Sequence, residues 1–231
     1  IILEKRVSIT PETAKNIIAL GLNINIERNY AVHLGIEDKQ YEQAGVKIHN
    51  NSKEVIDNSN LILKVNCPTD EEIKILKEKT ILVGIFNPTK NQRKFNEIIK
   101  KNIHIFSLEL LPRISRAQSM DVLSSQSNLA GYRAVIESIY EFEKAIPMMM
   151  TAAGTVPAAK VLIIGAGVAG LQAIATAKRL GAIVSATDVR VASKEQVESL
   201  GGKFLMVEQE ESLETTGGYA KEASEEFKKK Q

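Results

Sequence analysis

The sequence has a single cysteine, almost no net charge and no long apolar segment at its start. The lone Cys67 excludes an internal disulfide and is typical of a protein from a reducing compartment. The 30 lysines and arginines nearly balance the 28 aspartates and glutamates, so the formal charge of +2 gives no electrostatic reason to expect nucleic acid. Charged residues at positions 4–6 interrupt the start before an apolar segment develops, which is not the pattern of a secretory signal.

The sequence also lacks an apolar run long enough to cross a membrane. One uncharged stretch, residues 161–177, is shorter than the roughly 20 residues that a span needs. It is rich in glycine and is flanked by Lys160, Lys178 and Arg179. We therefore predict no transmembrane segment in this chain and interpret the stretch as a strand, a turn and a helix.

That stretch carries the clearest motif in the sequence. An apolar run at residues 160–164 is followed by Gly165, Gly167 and Gly170 in the order G-x-G-x-x-G, and a helical pattern ends at Gly181. A second apolar run ends in Asp188. Glycines between a strand and a helix, with an acid after the next strand, indicate a dinucleotide site.

Each residue of the motif has a physical role. Gly165 permits the tight turn, Gly167 lets the backbone approach a pyrophosphate, and Gly170 lets the helix lie close to the sheet. The phosphates are expected at the helix N-terminus. Asp188 is expected to accept hydrogen bonds from the adenosine ribose and to repel a 2′-phosphate, which favours NAD over NADP. Binding of NADP stays an alternative, because Arg190 lies nearby and an arginine can accommodate that phosphate.

The rest of the chain predicts an α/β fold with two Rossmann-like, doubly wound parallel-sheet domains linked by a long helix. We expect an N-terminal α/β domain at residues 1–126 and an NAD-binding domain at residues 127–231. Other strands are predicted at residues 23–27, 61–65, 81–85, 103–108 and 204–207. Other helices are predicted from Pro11 to Gly21 and at residues 71–76, 92–99, 127–143 and 193–200, with a connector at residues 148–159.

Both ends of the chain suggest a fragment. The sequence begins with Ile1 rather than methionine, so part of a first strand is expected to be missing. The second domain supplies three strands where a complete doubly wound domain has about six. We therefore expect it to be truncated at the C-terminus.

A polar segment at residues 113–126 leads to a family resemblance. The segments RISRAQSMDVLSSQSNLAGYRAV, MMMTAAGTVPAAKVLIIGAGVAGLQAIATAKRLGA, ATDVR, KEQVESLGGKF and TGGYAKE resemble the NAD(H)-binding component of proton-translocating NAD(P)+ transhydrogenase. This is the peripheral alpha-subunit domain of the alanine dehydrogenase/transhydrogenase family. The resemblance runs from Arg6 to Gln231, and the polar segment is particular to the family.

The resemblance implies a role for two sets of residues. The nicotinamide would be positioned, facing the NADP(H) of a partner, by Arg113, Gln118, Asp121 and Ser124. NAD(H) would be contacted by Gly165, Gly167, Val168, Ala169, Gly170, Asp188, Val189, Arg190 and, from a mobile loop, Tyr219. No metal is expected. A plain alternative is that Asp121, Ser124 and Ser125 only cap the following helix.

The resemblance also implies an activity and its partners. Hydride would pass directly from NADH to NADP+ held on a partner domain, coupled to proton movement through a membrane proton-channel domain. Two nicotinamides need positioning and exclusion of water, not a protein acid or base. The chain would form a homodimer and lie peripherally on the cytoplasmic face of a bacterial inner membrane.

Two other functions stay open. An NAD-dependent alanine dehydrogenase would hold its substrate carboxylate with an arginine and a lysine, and Arg6 and Lys64 match those places. However, residues 82–88, LVGIFNP, lack the histidine that the dehydrogenase uses for proton transfer. Arg6 and Lys64 are therefore expected to be salt-bridged structural residues, and His33, His49 and His104 to be surface or packing residues. The third possibility is a module that binds NAD without chemistry.

Overall fold

The computed structural model describes residues 4–112 and 114–206. The chain forms two compact units that divide between Met120 and Asp121. The domain boundary expected between residues 126 and 127 stays a prediction. Arg113, Tyr219 and the end of the strand expected at residues 204–207 lie outside the described residues.

The first unit alternates short strands and helices. Its strands are β1 (Asn25–Glu27), β2 (Lys47–His49), β3 (Leu61–Lys64), β4 (Ile81–Gly84) and β5 (His104–Ser107). Its helices are α1 (Pro11–Ala19), α2 (Asp38–Gln43), α3 (Ser52–Asp57), α4 (Asp70–Ile75) and α5 (Gln92–Lys100). Short 3-10 helices cover Val32–Leu34, Leu108–Leu110 and Ser115–Met120. All strand pairs described in this unit are parallel, β1 with β2 and β3-β4-β5 in that order, which confirms the predicted α/β class.

Local sequence fixes the helix starts in this unit. Thr10 caps α1 by accepting a hydrogen bond from the Thr13 backbone N–H, and proline occupies the first helical position. At α4, Thr69 and Glu72 form a reciprocal capping box. Buried residues then form two clusters, one around Tyr41 and one around Leu82 and Phe86. None of the residues predicted to hold the nucleotide lines the cavity of about 510 Å³ between β1 and β3.

The second unit holds the glycine motif. Its helices are α6 (Val122–Phe142), α7 (Val168–Arg179) and α8 (Ser193–Ser199). Its strands are β6 (Met149–Thr151), β7 (Gly154–Val156), β8 (Lys160–Ile164), β9 (Ile183–Thr187) and β10 (Lys203–Phe204). β10, β9 and β8 form a parallel sheet in that order, and β6 and β7 form an antiparallel hairpin. The core of the unit is built on small and branched side chains, including Ile174, Val184 and Val197.

Helix α6 packs closely against α7 because of a glycine. A Cβ atom at Gly131 would stand 2.0 Å from the carbonyl oxygen of Ala169, in the first turn of α7. No side chain fits in that space, so the two helices approach at van der Waals distance of their backbones. Gly131 therefore sets the position of the helix that follows the glycine turn.

The structure differs from the sequence-based expectation at the start of α6 and in the connector that follows this helix. Helix α6 begins at Val122 rather than near residue 127, because the Asp121 side chain caps it. The expected connector at residues 148–159 contains the β6–β7 hairpin, in which Gly154 adopts a φ of +123° at the turn. In the part of the chain that the structure describes, no helix has both the length and the apolar character needed to cross a bilayer.

Candidate functional site

The candidate site lies where β8 and β9 end side by side. The parallel register runs from Lys160 opposite Ile183 to Ile164 opposite Thr187, so the residues that follow the two strands meet at one edge. The Gly165 N–H donates to the Thr187 carbonyl oxygen at 2.8 Å. Ligands of open parallel sheets bind at the carboxyl ends of the strands. The register thus brings the glycine turn and Asp188 together.

Two of the three motif glycines are required by the fold itself. Gly165 has a φ of +95°, in the left-handed region that favours glycine. A Cβ atom on Gly170 would stand 1.8 Å from the Gly165 carbonyl oxygen, so only glycine lets α7 come this close to the turn. These observations agree with the structural roles expected from the sequence.

Gly167 differs from the other two glycines. Its φ of −75° suits any residue, and the nearest atom to a Cβ built there is Arg190 Nη2 at 3.8 Å. Neither conformation nor packing among the described residues therefore demands glycine. A pyrophosphate needs a backbone at the start of a helix that no Cβ covers, so the turn fits the group that the motif implies.

The start of α7 supplies donors to that space. Gly167 is the N-cap residue, and no side chain among the described residues caps the helix. The first backbone N–H groups of an α-helix have no partner within the helix, and they lie at the positive end of its dipole. Val168 and Ala169 are the first two residues of this turn. The arrangement favours an anion at this position.

The Asp188 side chain is buried beside the turn and is hydrogen-bonded within the protein. It is only 6% exposed, and Oδ2 accepts a hydrogen bond from the Ala166 backbone N–H at 2.6 Å. Oδ1 accepts from the backbone N–H of Arg190 at 2.8 Å. The Arg190 guanidinium donates from Nε at 2.9 Å and from Nη2 at 3.0 Å. Val189 lies between the two charged residues in the bend after β9.

These contacts keep the Asp188 carboxylate ionised. Burial by itself raises the pKa of the carboxyl group, since it disfavours the charged form. The hydrogen bonds from Arg190 and from the Ala166 backbone N–H outweigh burial, so the pKa of Asp188 lies below its usual value. The hydrogen bonds to the adenosine ribose expected of this residue stay a prediction.

The predicted nicotinamide-positioning residues fall in two places. Gln118 is exposed on the Ser115–Met120 turn of the first unit, whereas Asp121 and Ser124 begin the second unit. Asp121 accepts hydrogen bonds from the Ser124 backbone N–H at 2.9 Å and from Ser124 Oγ at 2.7 Å. Ser125 Oγ donates to the Asp121 carbonyl oxygen at 3.0 Å. The capping alternative is thus observed, and it does not test a role at the nicotinamide.

The residues that an alanine dehydrogenase would use are held in ion pairs. Arg6 contacts Glu4 at 2.7 Å, and this contact lowers the pKa of Glu4 to about 2. Lys64 pairs with Glu72, whose carboxylate also caps α4. Both cations therefore have carboxylate partners within the protein, as expected for structural residues.

Sequence reasoning missed Gly131 as a residue that positions the site. The signal was present, because glycine in a helix interior costs roughly 1 kcal/mol relative to alanine and therefore needs a packing reason. The same helix contacts α7 through Asn128, whose Nδ2 donates to Gln172 Oε1 at 3.1 Å. Helix α6 thus supports the glycine turn from behind α7.

Comparisons with known proteins agree on one family. Residues 2–130 match the family described as "Alanine dehydrogenase/PNT, N-terminal domain", and residues 134–229 match "Alanine dehydrogenase/PNT, C-terminal domain". The chain is 52% identical over 235 residues to the first part of NAD(P) transhydrogenase subunit alpha from Rhodospirillum rubrum. That alignment covers 99% of the chain and 61% of the relative, so the chain spans less than two thirds of that protein.

Solved structures agree with the sequence comparison. The transhydrogenase structure from Sinorhizobium meliloti superposes with a TM-score of 0.84 at 49% identity, covering 88% of this chain and 61% of that one. An L-alanine dehydrogenase superposes with a TM-score of 0.76 at 22% identity, covering 87% and 57%. The second likeness shows the shared Rossmann-like fold, and the predicted fold class is confirmed.

Proposed function

Because the chain belongs to the alanine dehydrogenase/PNT family, we propose that it is the NAD(H)-binding component of a proton-translocating NAD(P)+ transhydrogenase. The main support is the identity of 52% with a transhydrogenase alpha subunit along 99% of the chain. The open backbone at Gly167, beside a buried Asp188, independently supports a dinucleotide at the turn. Bound NADH would supply the hydride that is transferred to NADP+.

The residues of the glycine turn would bind the adenosine half of the nucleotide. The N–H groups of Val168 and Ala169 would face the pyrophosphate, which Gly167 allows to approach. Asp188, with Val189 and Arg190 after it, would recognise the adenosine ribose. Tyr219, carried over from the family, would cover the bound nucleotide. Together these contacts fix one end of a long ligand, so the other end needs its own positioning residues.

Arg113, Gln118, Asp121 and Ser124 would position the nicotinamide. Transfer of a hydride between two nicotinamides needs the rings at near-attack distance with water excluded, and no proton moves to or from the protein. Polar side chains that hold a carboxamide and a ribose in place are suited to this task. The bonds between Asp121 and Ser124 already hold these two side chains in one orientation. Asp121 would thus cap α6 and orient the ring at the same time.

The proposed partners follow from the proposed chemistry. The acceptor NADP+ would be held by a separate NADP(H)-binding domain, and protons would cross through a membrane proton-channel domain. The relative from Rhodospirillum rubrum is named as one portion of an alpha subunit, which describes one piece of a larger assembly. The chain would act as a homodimer, bound peripherally at the cytoplasmic face of a bacterial inner membrane.

A binding and transfer experiment tests this function. Equilibrium dialysis should show tighter binding of NADH than of NADPH. Mixed with an NADP(H)-binding partner domain, the protein should transfer hydride from NADH to an NADP+ analogue. Asp121→Asn should lower that rate by about 10- to 100-fold, since misplacement of the ring is costly. The stability of this variant should be unchanged, because asparagine caps helices as well as aspartate does.

Controls separate positioning from capping. Arg113→Ala should also slow the transfer, whereas Ser125→Ala, which removes a neighbouring hydrogen bond to the Asp121 carbonyl oxygen, should not. Normal transfer by both the Asp121 and Arg113 variants would mean that the segment is only structural. Oxidation of NADH that depends on pyruvate and ammonia would instead support the dehydrogenase alternative. Tight NADH binding with neither reaction would leave a non-catalytic module.

A further inference from the structure

The acceptor sites of the Asp188 carboxylate are all in use. A carboxylate offers about four lone-pair positions to donors. In the structure they receive the backbone N–H groups of Ala166 and Arg190 and the Nε and Nη2 groups of the Arg190 side chain. A ribose diol that binds this carboxylate must therefore replace one of these donors.

Only the guanidinium can be replaced without disturbing the fold. The two backbone donors belong to the glycine turn and to the bend after β9, whereas the Arg190 side chain rotates about several bonds. Its Nη2 lies 3.8 Å from the position of a Cβ on Gly167, so the guanidinium stands beside the open backbone of the turn. It remains 18% exposed, against 6% for Asp188, and so forms the outer side of the pair.

We propose that Arg190 is the exchangeable partner of Asp188 and that this pair, rather than Asp188 alone, determines the preference for NADH over NADPH. The inference rests on the proposed function, because it assumes a nucleotide at the glycine turn. The ribose hydroxyls of NADH donate to Asp188 and release the guanidinium, which then lies next to the pyrophosphate at Gly167. Arg190 is thus a specificity-determining residue, because its guanidinium gives up its place on Asp188 to the ribose hydroxyls.

The same pair rejects NADPH for two reasons. A 2′-phosphate has no donor to offer the Asp188 carboxylate and carries the same sign of charge. The nearby arginine does not compensate, because a bidentate bond to a buried carboxylate neutralises it. Removing the carboxylate charge should free Arg190 to bind the 2′-phosphate. From the sequence alone, Arg190 could either permit or not permit binding of NADPH. Its observed pairing with Asp188 indicates that it does not promote NADPH binding in the wild type.

Four proteins test the exchange through binding alone. Dissociation constants for NADH and NADPH are measured for the wild type, Asp188→Asn, Arg190→Gln and the double variant. Asp188→Asn should bind NADPH about tenfold more tightly than the wild type, because a charge-assisted contact is gained. The double variant should lose that gain, and Arg190→Gln alone should not bind NADPH better. Lys194→Gln, which removes a positive charge four residues further along the chain, serves as the control and should change neither constant.

The outcomes distinguish this inference from the proposed function. If NADH binds the wild type but Asp188→Asn binds NADPH no more tightly than the wild type does, the proposed exchange is wrong. The proposal of an NAD site is then unaffected. A gain that persists in the double variant also contradicts it, since the attraction would not come from Arg190. Absence of NADH binding to the wild type overturns both proposals. Circular dichroism checks folding, and Asp188→Ser replaces the asparagine variant if that one does not fold.

Discussion

The three motif glycines answer different physical demands within one short turn. Backbone conformation requires glycine at Gly165, and contact between backbones requires it at Gly170. Neither demand applies to Gly167, where among the described residues a Cβ would make only an ordinary van der Waals contact with the Arg190 guanidinium. Because the fold does not require glycine at position 167, substitution of Gly167 should affect ligand binding without affecting stability.

Substituting alanine for Gly170 should therefore lower stability, whereas substituting it for Gly167 should weaken ligand binding. Gly170→Ala should lower the free energy of unfolding by about 1–3 kcal/mol, because its Cβ would overlap a backbone oxygen. Gly167→Ala should change it by less than about 0.5 kcal/mol. Gly167→Ala should nevertheless weaken NADH binding by about tenfold, since the added methyl group stands where the pyrophosphate approaches.

Urea unfolding and equilibrium dialysis measure the two effects separately. Each variant is the control for the other, because both make the same chemical change at the start of α7. Unchanged NADH affinity in a folded Gly167→Ala protein would show that no pyrophosphate binds at this turn. Normal stability of Gly170→Ala would show that the turn and helix can move apart.

Helix α6 illustrates how one element positions another. Its interior glycine, Gly131, weakens the helix by itself but lets the Ala169 carbonyl oxygen come within contact distance. Ala169 lies in the first turn of α7, whose N–H groups would face the nucleotide. The distance between the two helices is therefore linked to the geometry of the site.

Gly131→Ala should destabilise the second unit although alanine is the better helix former. The gain in helix propensity is about 1 kcal/mol, but the new Cβ would lie 2.0 Å from a backbone oxygen and would force the helices apart. We expect a net loss of about 1–3 kcal/mol in the free energy of unfolding and weaker NADH binding. Glu141→Ala, at an exposed position of the same helix, is the control in urea unfolding. A more stable Gly131→Ala protein would contradict the close contact.

The elements that can be predicted best from the sequence are those with a capping residue and a buried stripe. Strand β8 has its predicted bounds, and α1 begins as predicted at Thr10-Pro11. The short helices α2 and α3 and the 3-residue strand β2 are not predicted, although α4, which is also six residues long and has a capping box, is. The β6–β7 hairpin escapes prediction because its first strand, of methionines and a threonine, shows no alternation.

At the scale of the whole molecule, the glycine turn is predictable because each position answers one local requirement. The Asp188–Arg190 bond is not, since a sequence shows which residues are neighbours but not which rotamers they adopt. The nicotinamide-positioning residues are harder still, because Asp121 satisfies the requirements of a helix cap and of a ligand contact equally well. Gln118 and Asp121 also fall in different compact units, which the spacing of three residues conceals.

The last prediction concerns the interface of the proposed homodimer. The β6–β7 hairpin and the segment before it carry an exposed apolar surface, with Met148 62% and Met150 84% exposed, and Tyr140 on α6 is 76% exposed. Exposed apolar patches mark interaction surfaces, and methionine adapts to irregular partners. Met148→Lys with Met150→Lys should therefore convert the dimer to a monomer in analytical ultracentrifugation, while NADH affinity stays within about twofold. Leu20→Lys makes the same kind of change at a 79% exposed residue of the first unit and should leave the dimer intact. A double variant that remains dimeric would remove the hairpin as the interface, and a monomeric wild type would remove the homodimer itself.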